Sequence, residues 1–182
     1  AAIDNGYDPD YRISNARISF PGYGGKTWSP RNYDGRYGGS YTIRRAIAQS
    51  VNICAVRMAN EIGIDKVIAY AGMLGIKSPL TRSLALALGA SDVTPLEICS
   101  AYGVFAANGV RAEPMAVVRI TTCEAGREEA VIAEYAPSTM QVLSQETARI
   151  MNDLFRGVVP SGTGRRALRV PKAHGKTGTT NN

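Results

Sequence analysis

The chain has 182 residues, of which 45% are hydrophobic and 20% charged, enough for one domain with a real core and too apolar for a disordered chain. Its net charge of +6 comes chiefly from arginines such as Arg44, Arg45, Arg165, Arg166 and Arg169. These form no continuous stripe and no nucleic-acid module, so nucleic acid is not an expected partner.

Residues 1–41 are rich in Gly, Tyr, Pro and Asn, with Asp34-Gly35 and Gly38-Gly39 as turn signals. They are expected to form an extended, loop-rich segment over the surface of something else, anchored by burial of Trp28. Thr42 is the candidate N-cap of a helix with Ile43, Ala46 and Ile47 on one face. The polar triplet Ser50-Val51-Asn52 interrupts that helix. Ile53, Val56 and Ala59 resume the period until Gly63, a stop signal. A short helix over 65–74 follows, closed by Gly75.

Thr94-Pro95-Leu96-Glu97 is a capping box: threonine at the cap, proline at the first helical position and glutamate at the third. Ile98, Tyr102 and Phe105 supply the expected apolar face, and Asn108-Gly109 the end. Residues 115–122 and 129–135 alternate around Gly126 and predict a β-hairpin. Ser144 then caps a helix with Ile150, Met151, Leu154 and Phe155 inward. The closing residues 173–179 read as a strand. Cys54 and Cys99 lie among apolar helical residues, where a free thiol acts as a small hydrophobe. Cys123 falls near the hairpin turn. With His174 the sole histidine, there is no Cys/His cluster, and no metal or cofactor is expected. No stretch is long and apolar enough to cross a bilayer.

Two short motifs carry chemistry. Acyl transfer through serine needs a hydroxyl, a base, a charge that eases proton transfer, and donors for the oxyanion. In Ser50-Val51-Asn52, Ser50 can relay protons and Asn52 can bond a substrate amide, although beside a helix such a triplet is more often a cap or turn. In Lys176-Thr177-Gly178-Thr179, strand alternation puts Lys176 and Gly178 on one face and Thr177 and Thr179 on the other. Gly178 removes bulk where a substrate strand can lie, and the Thr179 N–H can donate to an oxyanion. Alone, this tetrapeptide reads equally well as a surface strand end. The Ser-x-x-Lys that supplies the nucleophile in such enzymes is missing. The residues three before the five lysines are Tyr23, Gly63, Leu74, Arg169 and Ala173.

The segment Tyr41-Thr42-Ile43-Arg44-Arg45-Ala46-Ile47-Ala48-Gln49-Ser50-Val51-Asn52 resembles the approach to the second motif of class A (bifunctional) penicillin-binding proteins. Leu86-Ala87-Leu88-Gly89-Ala90-Ser91-Asp92-Val93-Thr94-Pro95-Leu96-Glu97 resembles their next helix entry. Gly162-Thr163-Gly164 and Gly175-Lys176-Thr177-Gly178-Thr179-Thr180-Asn181 resemble their third-motif region. The loop from Trp28 to Gly39, with Asn32-Tyr33-Asp34-Gly35, also matches. The resemblance covers essentially the whole chain in the correct order.

It implies an α+β fold: the mostly helical part of the penicillin-binding protein and serine β-lactamase-like transpeptidase fold, with a β-hairpin and one sheet strand carrying Lys-Thr-Gly. It implies that residues 1–182 are a partial transpeptidase domain, truncated at both ends and without the glycosyltransferase domain. The activity implied is serine-type D-Ala-D-Ala transpeptidation that cross-links peptidoglycan. Ser50 would assist proton transfer, Asn52 would orient the acyl donor, and Lys176 would supply positive charge near Ser50. Thr177, Gly178 and Thr179 would hold the donor, the two threonine hydroxyls taking its terminal carboxylate or that of penicillin.

The attacking serine and its lysine are expected just upstream of Ala1, so the chain alone is expected to be inactive. Stem peptides and β-lactams are the implied partners. The extracytoplasmic face of the bacterial cytoplasmic membrane is the implied location, with a membrane-anchored parent. Exposed edges would favour self-association. Readings kept beside this one are a D,D-carboxypeptidase or β-lactamase of the same fold and a non-catalytic cell-wall scaffold. Arg165, Arg166, Arg169 and Lys172 are read as a solvated basic loop, and His174 is not needed as a general base.

Overall fold

A computed structural model describes residues 1–122 and 129–178. After a 3-10 turn over Ile3–Asn5 come four short strands: β1 Arg12–Ser14, β2 Phe20–Pro21, β3 Thr27–Trp28 and β4 Ser40–Thr42. β1 pairs antiparallel with β4, Ile13 opposite Tyr41, and β2 with β3, Phe20 opposite Trp28. The extended segment is therefore stapled by two small ladders. Trp28 is only half-buried, its ring centroid 6.0 Å from that of Phe20. It steadies a local hairpin and does not reach the core.

Three helices follow, α1 Ile43–Ala48, α2 Asn52–Ile62 and α3 Ile64–Met73. Thr42 caps α1 as expected, its hydroxyl accepting from the Arg45 N–H at 3.1 Å. Gly63, at φ +87°, separates α2 from α3 in a conformation that a side chain would resist. α4 spans Pro95–Ala106 behind a complete capping box, Thr94 and Glu97 bonding reciprocally. β5 Val110–Ala112, β6 Arg119–Thr121, β7 Val131–Glu134 and β8 Thr139–Gln141 lead to α5 Gln145–Ser161. A 3-10 turn over Arg165–Arg169 comes next.

The expected hairpin is the β6–β7 pair; its turn, with Cys123 and Gly126, lies outside the described residues. The β5–β8 ladder was not expected. Its strands, Val110-Arg111-Ala112 and Thr139-Met140-Gln141, are too short and too mixed in polarity to show a period of two.

The core gathers around α5. Thr147, Ala148, Leu154, Phe155, Val158 and Val159 are its buried residues, three and four apart as one helical face requires. Leu154 packs in one cluster with Ile13 of β1, Ile43 and Ala46 of α1, and Cys54 of α2, flanked by Ile47, Ile150 and Met151. Burial pushes the Cys54 thiol up to about 11.

Three expectations need correction. On α4 the buried residues are the small Ala101 and Val104, while Ile98 is 44% and Tyr102 38% exposed. Large rings there lie across the helix flank, Tyr102 and Phe105 stacking on Phe155 at 5.4 and 5.3 Å, so small residues take the closest approach. Cys99, on the same helix, is exposed and is not a core hydrophobe. Residues 173–178 form no ladder, because a strand needs a hydrogen-bonded neighbour and no described residue supplies one. Among the described residues, no helix is long and apolar enough to cross a membrane.

Candidate active site

The turn that presents Ser50 is built by the end of α1. The Ser50 N–H donates to the Ile47 carbonyl at 3.2 Å and the Val51 N–H to the Ala46 carbonyl at 2.9 Å. This pair of bonds is a Schellman motif, and it puts Ser50 at the left-handed position that glycine usually fills. Ser50 has φ +54°. A side chain in that conformation costs about 1 kcal/mol or more, and such strain in a non-glycine residue often marks function. It turns the hydroxyl out of the helix end.

Lys176 meets it. The Lys176 ammonium donates to the Ser50 hydroxyl at 2.6 Å and to the Thr177 carbonyl at 2.9 Å. Half-buried, it is held below the ordinary lysine range by desolvation of its charge. Strand alternation left open how Lys176 could face the same cleft as its neighbours. Lys176 turns to Ser50 and Thr177 to Thr163, the two threonine hydroxyls sharing a short hydrogen bond.

Thr163 explains how the third motif is seated. Its N–H donates to the Ala48 carbonyl, the last residue of α1, at 3.0 Å. Gly162 passes so close that a Cβ there would stand 2.0 Å from the same oxygen. The Gly175 N–H also donates to the Phe155 carbonyl of α5 at 3.4 Å. One carbonyl at the end of α1 thus holds 162–164, and 162–164 hold the Lys-Thr-Gly segment against the turn at Ser50.

Asn52 opens α2. Its amide donates to the Arg31 carbonyl at 2.8 Å, and its carbonyl oxygen has no partner among the described residues. Gly178 has nothing within 4 Å of where a Cβ would point, so the packing of the chain itself does not demand glycine there. Thr179 lies outside the described residues. His174 is exposed, as are Arg165, Arg166, Arg169 and Lys172.

Ser50 and Lys176 therefore meet from two stretches of chain, with Thr177 held beside them by Thr163 from a third, and Asn52 follows Ser50 by two residues at the start of α2. Two hollows lie elsewhere: one of about 360 Å³ at the β2–β3 hairpin and one of about 530 Å³ at the start of α5. Neither is lined by a motif residue. Among the described residues, no group of three or more His, Cys, Asp or Glu is placed to hold a metal. In the sequence Asn15 carries no signal and Asn32 only a place in a loop that resembles the family, yet both support the triplet. Asn32 stands in Asn32-Tyr33-Asp34-Gly35, whose local signal is only that of a turn.

Residues 1–182 match the penicillin binding protein transpeptidase domain, and the chain belongs to that family. Penicillin-binding protein 1A of Neisseria flavescens is 37% identical over 190 residues, covering 100% of this chain and 23% of that protein. Penicillin-binding protein 1A of Aquifex aeolicus is 37% identical over 157 residues, covering 86% and 21%. The crystal structure of penicillin-binding protein 1A from Haemophilus influenzae superposes with a TM-score of 0.89 at 27% identity, covering 99% of this chain and 32% of that one. The chain thus spans 23% of the length of the first curated relative it matches.

Proposed function

We propose that the chain is part of the transpeptidase domain of a serine-type peptidoglycan D-Ala-D-Ala transpeptidase that also reacts with β-lactams. The observation that carries this reading is the 2.6 Å bond from Lys176 to Ser50, which joins the second and third motifs of such a site. The nucleophilic serine lies in the part of the protein outside these residues, since no lysine here follows a serine by three. The rest of the domain and a glycosyltransferase domain lie there as well. On this reading residues 1–182 have no acyl-transfer activity by themselves.

In the acylation step the serine oxygen attacks the carbonyl between the two D-Ala residues, and the C–N bond breaks. The serine proton must finally reach the leaving D-Ala amine. Ser50, in contact with a lysine whose pKa is lowered toward working pH, is placed to pass that proton on. The Lys176 charge stabilises the anionic species formed on the way. Thr177, with Thr179, takes the terminal carboxylate, and Gly178 leaves room beside it. Asn52 holds the donor amide with its unengaged carbonyl oxygen. An amine from a neighbouring stem then attacks the ester, gives up a proton, and regenerates the serine hydroxyl.

The parent protein works on the extracytoplasmic face of the bacterial membrane, held there by an anchor outside this chain. In isolation the chain self-associates through apolar faces such as Ile120, Val131 and Ile132, which are 41%, 47% and 65% exposed.

The test is to give the full-length protein glycan strands bearing pentapeptide stems. Release of D-Ala with formation of cross-linked dimers is the expected result. Trimmed stems without dimers would indicate a carboxypeptidase, rapid penicillin turnover a β-lactamase, and absence of any penicillin adduct a scaffold.

A further inference from the structure

The first turn of α2 lacks a cap of its own. Val51 at the cap position has no side-chain acceptor, yet the first N–H groups of a helix need partners. The Ile53 N–H finds one 21 residues upstream, donating to Asn32 Oδ1 at 3.0 Å. Ile53 is 0% exposed, so water cannot replace that oxygen. The next carbonyl back, that of Arg31, accepts from the Asn52 amide at 2.8 Å. Two bonds, both donated from the α2 side, therefore tie residues 52 and 53 to residues 31 and 32.

Asn32 is itself locked. Its amide donates to Asn15 Oδ1 and to the Arg36 carbonyl, both at 2.7 Å. Asn15 is fixed by main-chain bonds: its N–H donates to the Gly39 carbonyl and its carbonyl accepts from the Gly38 N–H, both at 3.0 Å. The Asn15 amide lies 3.4 Å from the Arg36 and Gly38 carbonyls. The two asparagines are 2% and 8% exposed. A buried amide pair with this degree of satisfaction fixes one geometry.

We propose that Asn32, held by Asn15, is a positioning residue for the proposed acyl transfer. It caps α2 from a distant loop and so fixes both the left-handed turn at Ser50 and the orientation of Asn52. The Schellman bonds secure Ser50 from the α1 side; the Asn32 cap secures it from the α2 side. An oxygen alone can cap the helix, but oxygen and two N–H groups together are needed to bind the cap to its loop, which suits asparagine. This role rests on the transpeptidase reading above.

The test uses the full-length protein and fluorescent penicillin in stopped flow, separating the dissociation constant of the initial complex from the limiting acylation rate. Rates are counted per acylation-competent molecule, with melting temperature measured in parallel. For Asn32→Ala the limiting rate should fall about tenfold or more, and by a larger factor than the initial complex weakens through Asn52, since a buried N–H loses its acceptor and the catalytic groups shift. Asn32→Asp keeps the oxygen that Ile53 needs but loses both N–H donors and sets a buried carboxylate oxygen against the Asn15 Oδ1 and the Arg36 carbonyl, so this variant should slow acylation as well. Where Asn32→Ala does not fold, Asn15→Ala carries the test. It frees Asn32 without touching α2 and should slow acylation about threefold or more. A lower melting temperature with an unchanged rate per competent molecule in the Asn32→Ala or Asn15→Ala variant would overturn the role. So would an Asn32→Asp variant that acylates at the wild-type rate. A wild-type protein that takes no penicillin would overturn the transpeptidase reading itself, and the role with it.

Discussion

The Lys176 ammonium lies 2.6 Å from the Ser50 hydroxyl, across 126 residues of sequence. The contact depends on the left-handed turn at Ser50 and on the seating of 162–164 against Ala48. It also buries part of a lysine, and that has consequences for pH. Desolvation lowers the Lys176 pKa in the folded chain from 10.5. Between the folded value and 10.5 the unfolded chain binds more protons, so this group makes stability rise with pH through that window. Lys176→Met should remove the rise, read as the urea midpoint across the alkaline range. In the full-length protein the same substitution should slow penicillin acylation by about a hundredfold or more, and the alkaline limb of the wild-type profile should fall below 10.5.

Ser50 carries a backbone cost that glycine would not. At φ +54°, Ser50→Gly should stabilise the chain by about 1 kcal/mol, while Ser50→Ala keeps the cost and gains nothing. Both variants lose the hydroxyl that Lys176 contacts, so both should lose acylation in the full-length protein. Thermal melting separates the two variants, and acylation does not.

Gly162 has no room for a methyl group. Its Cβ would stand 2.0 Å from the Ala48 oxygen and 2.9 Å from that of Val158, both of them backbone. Gly162→Ala should cost about 1–3 kcal/mol and break the Thr163–Thr177 contact by moving the segment outward. A denaturant melt gives the first effect. Faster amide exchange over 173–178 would report the second.

Glu97 should make the chain sensitive to acid. Its carboxylate is held down to about 2 by the Ser78 hydroxyl first, then by the backbone N–H groups of Thr94 and Lys77. A carboxylate with a lowered folded pKa contributes stability above its ordinary value of 4.5, and that contribution is lost as pH falls from there toward 2. Glu97→Gln should flatten the loss in that interval, measured by melting temperature against pH.

Much of this was legible in the sequence because its signals are local. Thr42, Ser144 and the box at Thr94–Glu97 cap the helices where the residue types place them, and Gly63 divides α2 from α3. Ser50 and Lys176, each in its own short motif, meet across 126 residues. The misses involve partners distant in sequence. The α4 face was misjudged because Ile98 and Tyr102 are large and apolar, while the closest approach went to Ala101 and Val104. A strand at 173–178 depends on neighbours that the local pattern cannot provide. Asn32 looked like part of a turn, since a helix cap supplied from 21 residues away leaves no mark on the helix it caps. The left-handed Ser50 was hidden for the opposite reason: the rule that favours glycine there is broken.

The most direct test of the central claim is intact-mass analysis after exposure to fluorescent penicillin, run on these 182 residues and on the full-length protein. The account predicts no adduct on the chain alone. It predicts one adduct per full-length molecule, mapping to a serine outside these residues and lost or strongly slowed with Lys176→Met. A stoichiometric adduct on any serine within the chain would contradict it, as would a full-length protein that reacts equally well without Lys176.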